Sequence, residues 1–391
     1  MTESSTTDRA ELISRARRIV IKLGTAVLMR DDGGVALSRF YSFVEAIAAF
    51  KCEGREVLLV SSGAVGLGIE RLALPQRPQS LPLKQACAAV GQGRLMSLYS
   101  DAFDRLGITT AQVLLTEEDF SNRRRYLNLR STLMKLLEVG ALPIINENDT
   151  VSTAELEPLD QSSYVKVNFG DNDKLSALVA SRIEADLLVM LTDVDGLYTA
   201  DPDSADDAQF ISVVEQITPE IESLARGGRA SRVGRGGMKT KLEAARIATE
   251  SRCAAVIASG KINDVINRIF AGEELGTLFL PQPGLPEKRR WIAFATSVKA
   301  ALVVNEGARR ALIERKASLL AAGVVEVRGQ FERGDVVSIL DEQEREFARG
   351  IVNYSSAEAR RISGQHSNKI DELIENRNYD ALITRDNISF Y

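Results

Sequence analysis

From residue 18 to residue 270, short runs of apolar residues alternate with longer segments in which apolar positions recur every three or four residues. The runs at 18–23, 55–60, 110–115, 142–145, 185–191 and 254–258 are apolar almost throughout, as buried strands are. The segments at 36–50, 83–106, 127–138, 175–180, 242–250 and 263–270 carry helical period. Strand alternating with helix over this span predicts an α/β domain with a largely parallel central sheet. At 281–286 the chain reads Pro-Gln-Pro-Gly-Leu-Pro, a linker by composition. Beyond it the pattern changes to short β-rich runs at 291–294, 301–304, 324–327, 336–340 and 347–352, bordered by glycines, with short helices near 308–315 and 357–362. That texture predicts a small, mostly β barrel. The expected division is therefore a larger domain over 17–280, a linker over 281–289 and a small domain over 290–391.

Polar residues gather where the predicted strands end. Lys22 sits inside the first apolar strand, directly before Leu23-Gly24-Thr25. A lysine there either snorkels to water or reaches a charge or a ligand. The second strand runs into Ser61-Ser62-Gly63-Ala64-Val65-Gly66-Leu67-Gly68, a small-residue turn whose backbone can approach phosphate closely. Two polar knots follow, Asn146-Glu147-Asn148-Asp149 at a strand end and Gly170-Asp171-Asn172-Asp173-Lys174 at a helix start. Taken singly, each is also an ordinary turn or cap sequence. Together they suit a small polar substrate or a metal-bound phosphate. Between the knots, 152–168 is polar and aperiodic and reads as a flexible loop.

The segment 226–237 mixes four arginines with glycines and ends in Met238-Lys239-Thr240-Lys241 at a helix start. This is either an anion site or a flexible basic loop. Neither the dinucleotide G-x-G-x-x-G nor the P-loop G-x-x-x-x-G-K-[ST] is present, which disfavours both nucleotide folds. The acidic run 201–207 lacks the glycine and terminal glutamate of a calcium loop.

Composition narrows the chemistry further. The chain has one histidine, His366, in a polar segment near the C-terminus. Zincin and Ser-His or Cys-His catalysis need a well-placed histidine, so carboxylates, amides and lysines must do the work. The formal net charge of −5 argues against a protein devoted to gripping nucleic acid. Residues 288–391 hold 17 basic and 15 acidic residues, a balance of only +2. No apolar run is long enough for a membrane helix, and residues 1–7 lack the order of a signal peptide and read as a disordered lead-in. Cys52, Cys87 and Cys253 are scattered and expected to be reduced core residues of a cytoplasmic protein. No metal-ligand spacing is found among them.

The motifs now combine. Lys22-Leu23-Gly24-Thr25, Ser61-Ser62-Gly63-Ala64, Asn146-Glu147-Asn148-Asp149, Gly170-Asp171-Asn172-Asp173, Leu191-Thr192-Asp193-Val194-Asp195-Gly196-Leu197-Tyr198 and Gly236-Gly237-Met238-Lys239-Thr240-Lys241 occur in that order. The set resembles the amino acid kinase superfamily, and within it the branch that phosphorylates glutamate. The C-terminal segment resembles the PUA domain that many bacterial members carry. The resemblance implies an α/β/α sandwich and ATP-dependent phosphorylation of the γ-carboxylate of L-glutamate for proline synthesis. It makes Lys22 and Lys241 the pair that neutralises the transferring phosphoryl group, with Asp173 holding both. Ser62, Asn146, Asp149, Asp171 and Asn172 become the glutamate-binding set. Lys22, Thr192, Asp193, Gly236, Gly237, Met238, Lys239, Thr240 and Lys241 become the ATP-binding set, with Mg²⁺ as companion ion and no protein metal ligand assigned. It further implies proline feedback inhibition and a homo-oligomer, dimer or tetramer.

A γ-carboxylate is already ionised at neutral pH, so the site needs alignment and charge cancellation rather than a general base. Asp149 is expected to pair with the substrate ammonium. Three features depart from the family pattern: a longer loop over 155–168, Arg235 before Gly-Gly-Met, and extra residues up to Ala16. The competing readings are a superfamily kinase acting on acetylglutamate, aspartate, carbamate or a nucleotide monophosphate, and an RNA-binding or regulatory protein working through the PUA-like domain.

Overall fold

The computed structural model describes residues 9–30, 33–116, 118–121, 123–151, 172–200, 205, 207–225, 237–283, 291–293, 298, 300–365 and 381–390. They fall into two compact units. The larger is built on an eight-stranded sheet. Its central strands are β1 (Arg18–Leu23), β2 (Glu56–Ser61), β3 (Thr110–Leu115), β4 (Leu142–Glu147), β5 (Leu187–Thr192) and, later in the chain, β9 (Ala254–Ser259). These six pair in parallel in the order β3-β4-β2-β1-β5-β9. All six residues of β5 and of β9 are buried, which is what strands covered by helices on both faces require. Beyond β9 the sheet adds β10 (Thr277–Phe279), antiparallel to β9, and β8 (Val213–Val214), parallel to β10. A separate ribbon pairs β6 (Leu197–Tyr198) with β7 (Phe210–Ile211).

The registers level the strand ends. Leu23 lies opposite both Ser61 and Leu191, and Thr192 lies opposite Ser259. The chain lays β2 beside β1, places β3 at the edge and inserts β4 between β2 and β3, then returns to lay β5 on the other side of β1. The order therefore reverses at β1, and open parallel sheets bind ligands beyond the carboxyl ends of strands at such a point.

Side chains alternate across β1. Ile19, Ile21 and Leu23 join the core that contains Phe40, Phe43 and Ile47 of α3 (Leu37–Cys52) and Leu95, Tyr99 and Phe103 of α5 (Leu81–Asp104). Val20 and Lys22 take the opposite face, covered by α8 (Asn172–Ile183), which packs on α10 (Met238–Thr249). The result is helix layers on both sides of the sheet. On the α5 side, α4 (Ala64–Arg71) crosses α5 at glycines: a Cβ on Gly91 would lie 1.7 Å from the Ala64 carbonyl oxygen, and one on Gly68 would lie 1.9 Å from that of Cys87. Only hydrogen fits at either position.

The smaller unit comprises a five-stranded mixed sheet and the chain around α6 (Glu118–Ser121) up to Tyr126. Its order is β12 (Val324–Arg328), β11 (Ala301–Val304), β13 (Val336–Leu340), β14 (Glu346–Ile351) and β15 (Ile388–Phe390), with only β11 and β13 parallel. Two helices close it, α12 (Glu306–Arg315) and α13 (Ser356–Ile362). The Asn305 side chain caps the first, and a Ser355–Glu358 capping box opens the second.

Several expectations change. The stretch after Ser61 is not one long turn, because α4 begins at Ala64. Apolar small residues in helical contact with α5 win over local glycine content. The pattern at 291–294 predicts a β-rich run, yet 291–293 is helical. There Trp291 donates its indole N–H to the Phe120 carbonyl at 3.0 Å and packs on Tyr126, so tertiary contacts decide its conformation. Cys87 and Cys253 are buried as expected, but Cys52 is exposed at the end of α3. Residues Arg9–Ser14 form a helix, α1, whose Arg9 donates to the carbonyls of Ser212, Gly276 and Leu275. Asp171, Gly236, Arg235, His366, residues 1–7, the 152–168 loop, most of the 201–207 acidic run and most of the linker lie outside the described residues.

Candidate active site

The central feature is a buried carboxylate between two buried lysines. Asp173 stands in the first turn of α8, where the helix N-terminus favours negative charge. Its Oδ1 lies 2.5 Å from Lys22 Nζ and its Oδ2 accepts from Lys241 Nζ at 3.2 Å. The aspartate is fully buried, and each lysine is 4% exposed. Burial pushes the Asp173 carboxyl up, but the charges and hydrogen bonds of Lys22 and Lys241 outweigh it and hold the group at about 2. Among the described residues this cluster sets two buried cations around one anion, an arrangement suited to an incoming anion.

Three elements converge to make it. Lys22 projects from β1 onto the α8 face, and a Cβ on Gly24 would come within 3.5 Å of its ammonium and 3.2 Å of the Leu191 carbonyl oxygen. Gly24 also donates its N–H to that oxygen at 3.0 Å, tying the ends of β1 and β5 together. Lys241 lies on the buried face of α10 with Leu242, Ala244 and Ala245, one turn after Gly237. A second pair, Lys174 Nζ to Glu243 Oε1 at 3.4 Å, fastens α8 to α10 nearby.

Beside the cluster runs a chain of amides. Asn172 Nδ2 donates to Ser62 Oγ at 2.8 Å, to the Ser61 carbonyl at 3.3 Å and to Asn146 Oδ1 at 2.9 Å. Asn146 Oδ1 also accepts the Glu147 backbone N–H at 2.9 Å, and Asn146 Nδ2 donates to Gln92 Oε1 at 2.8 Å. Ser61 itself shares a hydrogen bond with buried Tyr99 at 2.8 Å, and burial pushes the Tyr99 phenol up. Next to this chain a cleft of about 280 Å³ opens between α5 and the ends of β3 and β4. Gln92, Gln112, Leu114, Glu147, Asn148 and Asp149 line it.

The structure thus brings Lys22, Asp173 and Lys241 into one cluster and Ser62, Asn146 and Asn172 into one network, with half-buried Asp149 on the cleft wall. Thr192 and Asp193 sit at the carboxyl end of β5, where the Thr192 hydroxyl donates to Asp193 Oδ1 at 3.0 Å. In the turn into α10, Gly237 precedes the first residue, Met238 is half-buried, Lys239 is exposed, and the Thr240 hydroxyl donates to the Gly237 carbonyl. Asp171 and Gly236 are outside the described residues. Gln92 and Tyr99 were missed. The available signal was a glutamine on the same helical face as Ala88, Leu95 and Tyr99, all of them buried. Among the described residues, no group of three or more His, Cys, Asp or Glu could hold a metal ion, and no helix is long and apolar enough to cross a membrane.

Comparison with known proteins places the chain in a family. Residues 17–259 match the model of the amino acid kinase family, and residues 300–374 match the PUA domain. Three curated relatives carry the same name, glutamate 5-kinase. That of Caldanaerobacter subterraneus subsp. tengcongensis is 46% identical, covering 95% of this chain and 97% of the relative. That of Syntrophotalea carbinolica is 46% identical over 97% of this chain and 99% of the relative. That of Methanococcoides burtonii is 45% identical over 98% of this chain and all of the relative.

Proposed function

The chain belongs to the amino acid kinase family and, within it, to the glutamate 5-kinases, and on that premise we propose how its residues perform the reaction. The activity is ATP-dependent phosphorylation of the side-chain carboxylate of L-glutamate, giving L-glutamyl 5-phosphate and ADP, the opening step of proline synthesis. The observation that carries the residue assignment is the buried Lys22–Asp173–Lys241 cluster at the reversal point of the sheet.

The attacking γ-carboxylate is an anion and so is the γ-phosphoryl group it approaches. Bringing them together in a site that excludes water requires cations fixed in advance. Lys22 and Lys241 supply two such cations, and Asp173 holds both in place without neutralising them fully. The transfer forms a bond from the carboxylate oxygen to phosphorus and breaks the bond to the bridging oxygen of ADP, so no proton needs to move. Ser62, Asn146, Asp149, Asp171 and Asn172 bind glutamate, with Asp149 taking its ammonium. Thr192, Asp193 and the Gly236–Lys241 turn bind ATP. Mg²⁺ bound with ATP would offset the charge of its phosphates, and no protein ligand is assigned to it.

Residues 17–280 form the catalytic domain in this reading, and 290–391 form a PUA-like domain with a structural or regulatory role rather than nucleic-acid binding. Proline feedback at or near the glutamate site, a dimeric or tetrameric assembly and a cytoplasmic location belong to the same reading. The test is a hydroxylamine trap with Mg-ATP and separate acids. Coloured hydroxamate is expected with free L-glutamate and not with N-acetylglutamate or aspartate. Hydroxamate from either of those at the glutamate rate would overturn the substrate assignment.

A further inference from the structure

We propose that Gln92 recognises the α-carboxylate of glutamate, and that the amide chain from Asn172 through Asn146 exists partly to orient it. The inference rests on the glutamate kinase reading above and goes beyond it, because the argument comes from the direction of the hydrogen bonds. That direction is set at both ends by backbone groups, which cannot exchange roles. The Glu147 N–H can only donate, so the Asn146 atom that receives it is the carbonyl oxygen. The Ser61 carbonyl can only accept, so the Asn172 atom that reaches it is the amide nitrogen. With both asparagines oriented, Asn146 presents its NH₂ to Gln92, and Gln92 must answer with its oxygen.

Gln92 Nε2 is then the free end of the chain. It is buried and has no hydrogen-bond partner among the described residues. The residue is only 9% exposed and lines the cleft beside Asp149. A buried N–H donor left unmet is costly, and native structures retain few of them. A donor of fixed orientation selects an acceptor and rejects an ammonium. An α-amino acid head carries one group of each kind, and among the polar groups of this wall the Asp149 carboxylate suits the ammonium while the buried, unpartnered Gln92 amide suits the carboxylate. The γ-carboxylate is claimed by the lysine cluster next to Asn172, two hydrogen bonds along the chain from Gln92. The chain thereby links the seating of the substrate head to the residue preceding Asp173, which makes Gln92 a specificity-determining residue.

The test compares L-glutamate with isoglutamine, which keeps the γ-carboxylate and replaces the α-carboxylate by an amide. Each is measured at pH 8 by hydroxamate formation as kcat/KM, or, where isoglutamine is only an inhibitor, as its inhibition constant against the KM of glutamate. The wild-type protein should favour glutamate. Gln92→Glu keeps an oxygen for Asn146 but turns the donor into an anion. It should lower the glutamate-to-isoglutamine ratio roughly 10–100-fold, the range expected for losing a hydrogen bond to a charged group. Gln92→Leu, which removes the donor without adding charge, should lower the ratio in the same direction by less. A ratio taken on one preparation does not depend on how much of the variant is folded. An unchanged ratio in both variants, with wild-type hydroxamate from glutamate intact, would overturn the role of Gln92 and leave the proposed reaction standing. No wild-type hydroxamate from glutamate would overturn the reaction itself.

Discussion

Replacing Asp173 by asparagine keeps the shape of the site and removes the carboxylate that bridges the two lysines. In the wild-type protein the carboxyl is held at about 2 against an ordinary 3.8. That depression corresponds to about 2 kcal/mol of stability at neutral pH. The variant loses this and also removes the carboxylate that both ammoniums, each 4% exposed, contact. Breaking a buried pair from one side costs roughly 3–5 kcal/mol, so the larger figure governs. In urea the unfolding midpoint of the catalytic domain should fall by on the order of 1 M. The pH dependence gives a sharper check. A depressed folded-state value means the stabilisation is fully present above the ordinary carboxylate range and disappears as pH falls through about 2. The gap between wild type and Asp173→Asn should therefore be constant from pH 5 to pH 8 and close as the pH falls from 4 towards 2. Turnover should drop by at least 100-fold through misplacement of both cations. A gap that persists undiminished at pH 2, or a variant with wild-type turnover, would refute the idea that Asp173 acts through its charge on Lys22 and Lys241.

Lys22→Ala and Lys241→Ala should each lower kcat by roughly 100-fold or more while changing the half-saturating glutamate concentration far less, as expected for a group acting on transition-state charge; steady-state kinetics on the two variants decides this. Asp149→Ala should do the reverse, raising that concentration by roughly 30-fold or more with kcat less affected, since losing a charge partner that the bound substrate covers costs about 2–5 kcal/mol of binding. Gly91→Ala places a methyl against the Ala64 carbonyl and should lower stability by about 1–3 kcal/mol in a denaturant melt, with weaker glutamate binding because Gln92 is the next residue along α5.

The sequence alone carried the local parts of this protein. Buried strands announce themselves as unbroken apolar runs, so all six parallel strands were legible, as were Lys22 at a strand end and the Asn146–Asp149 and Asn172–Lys174 knots. Motifs of that kind are legible because strand termini and helix starts are marked by neighbouring residues. What lay outside the sequence depended on partners distant along the chain. Local pattern near Lys22 does not say that it meets Asp173 or Lys241; that pairing was an expectation of the family resemblance alone, and the contacts themselves belong to the folded chain. Gln92 reads as one polar residue on a helix until Asn146, 54 positions away, turns it into the end of an oriented chain. Trp291 reads as a strand residue until the Phe120 carbonyl and Tyr126 take it into a helical turn. Short-range pattern sets which elements form, because propensity and period act over one or two turns. The order of the strands about β1, the meeting of Lys22, Asp173 and Lys241 at their ends and the direction of the amide chain belong to the tertiary structure, because each is an energy between groups that only the folded chain brings together.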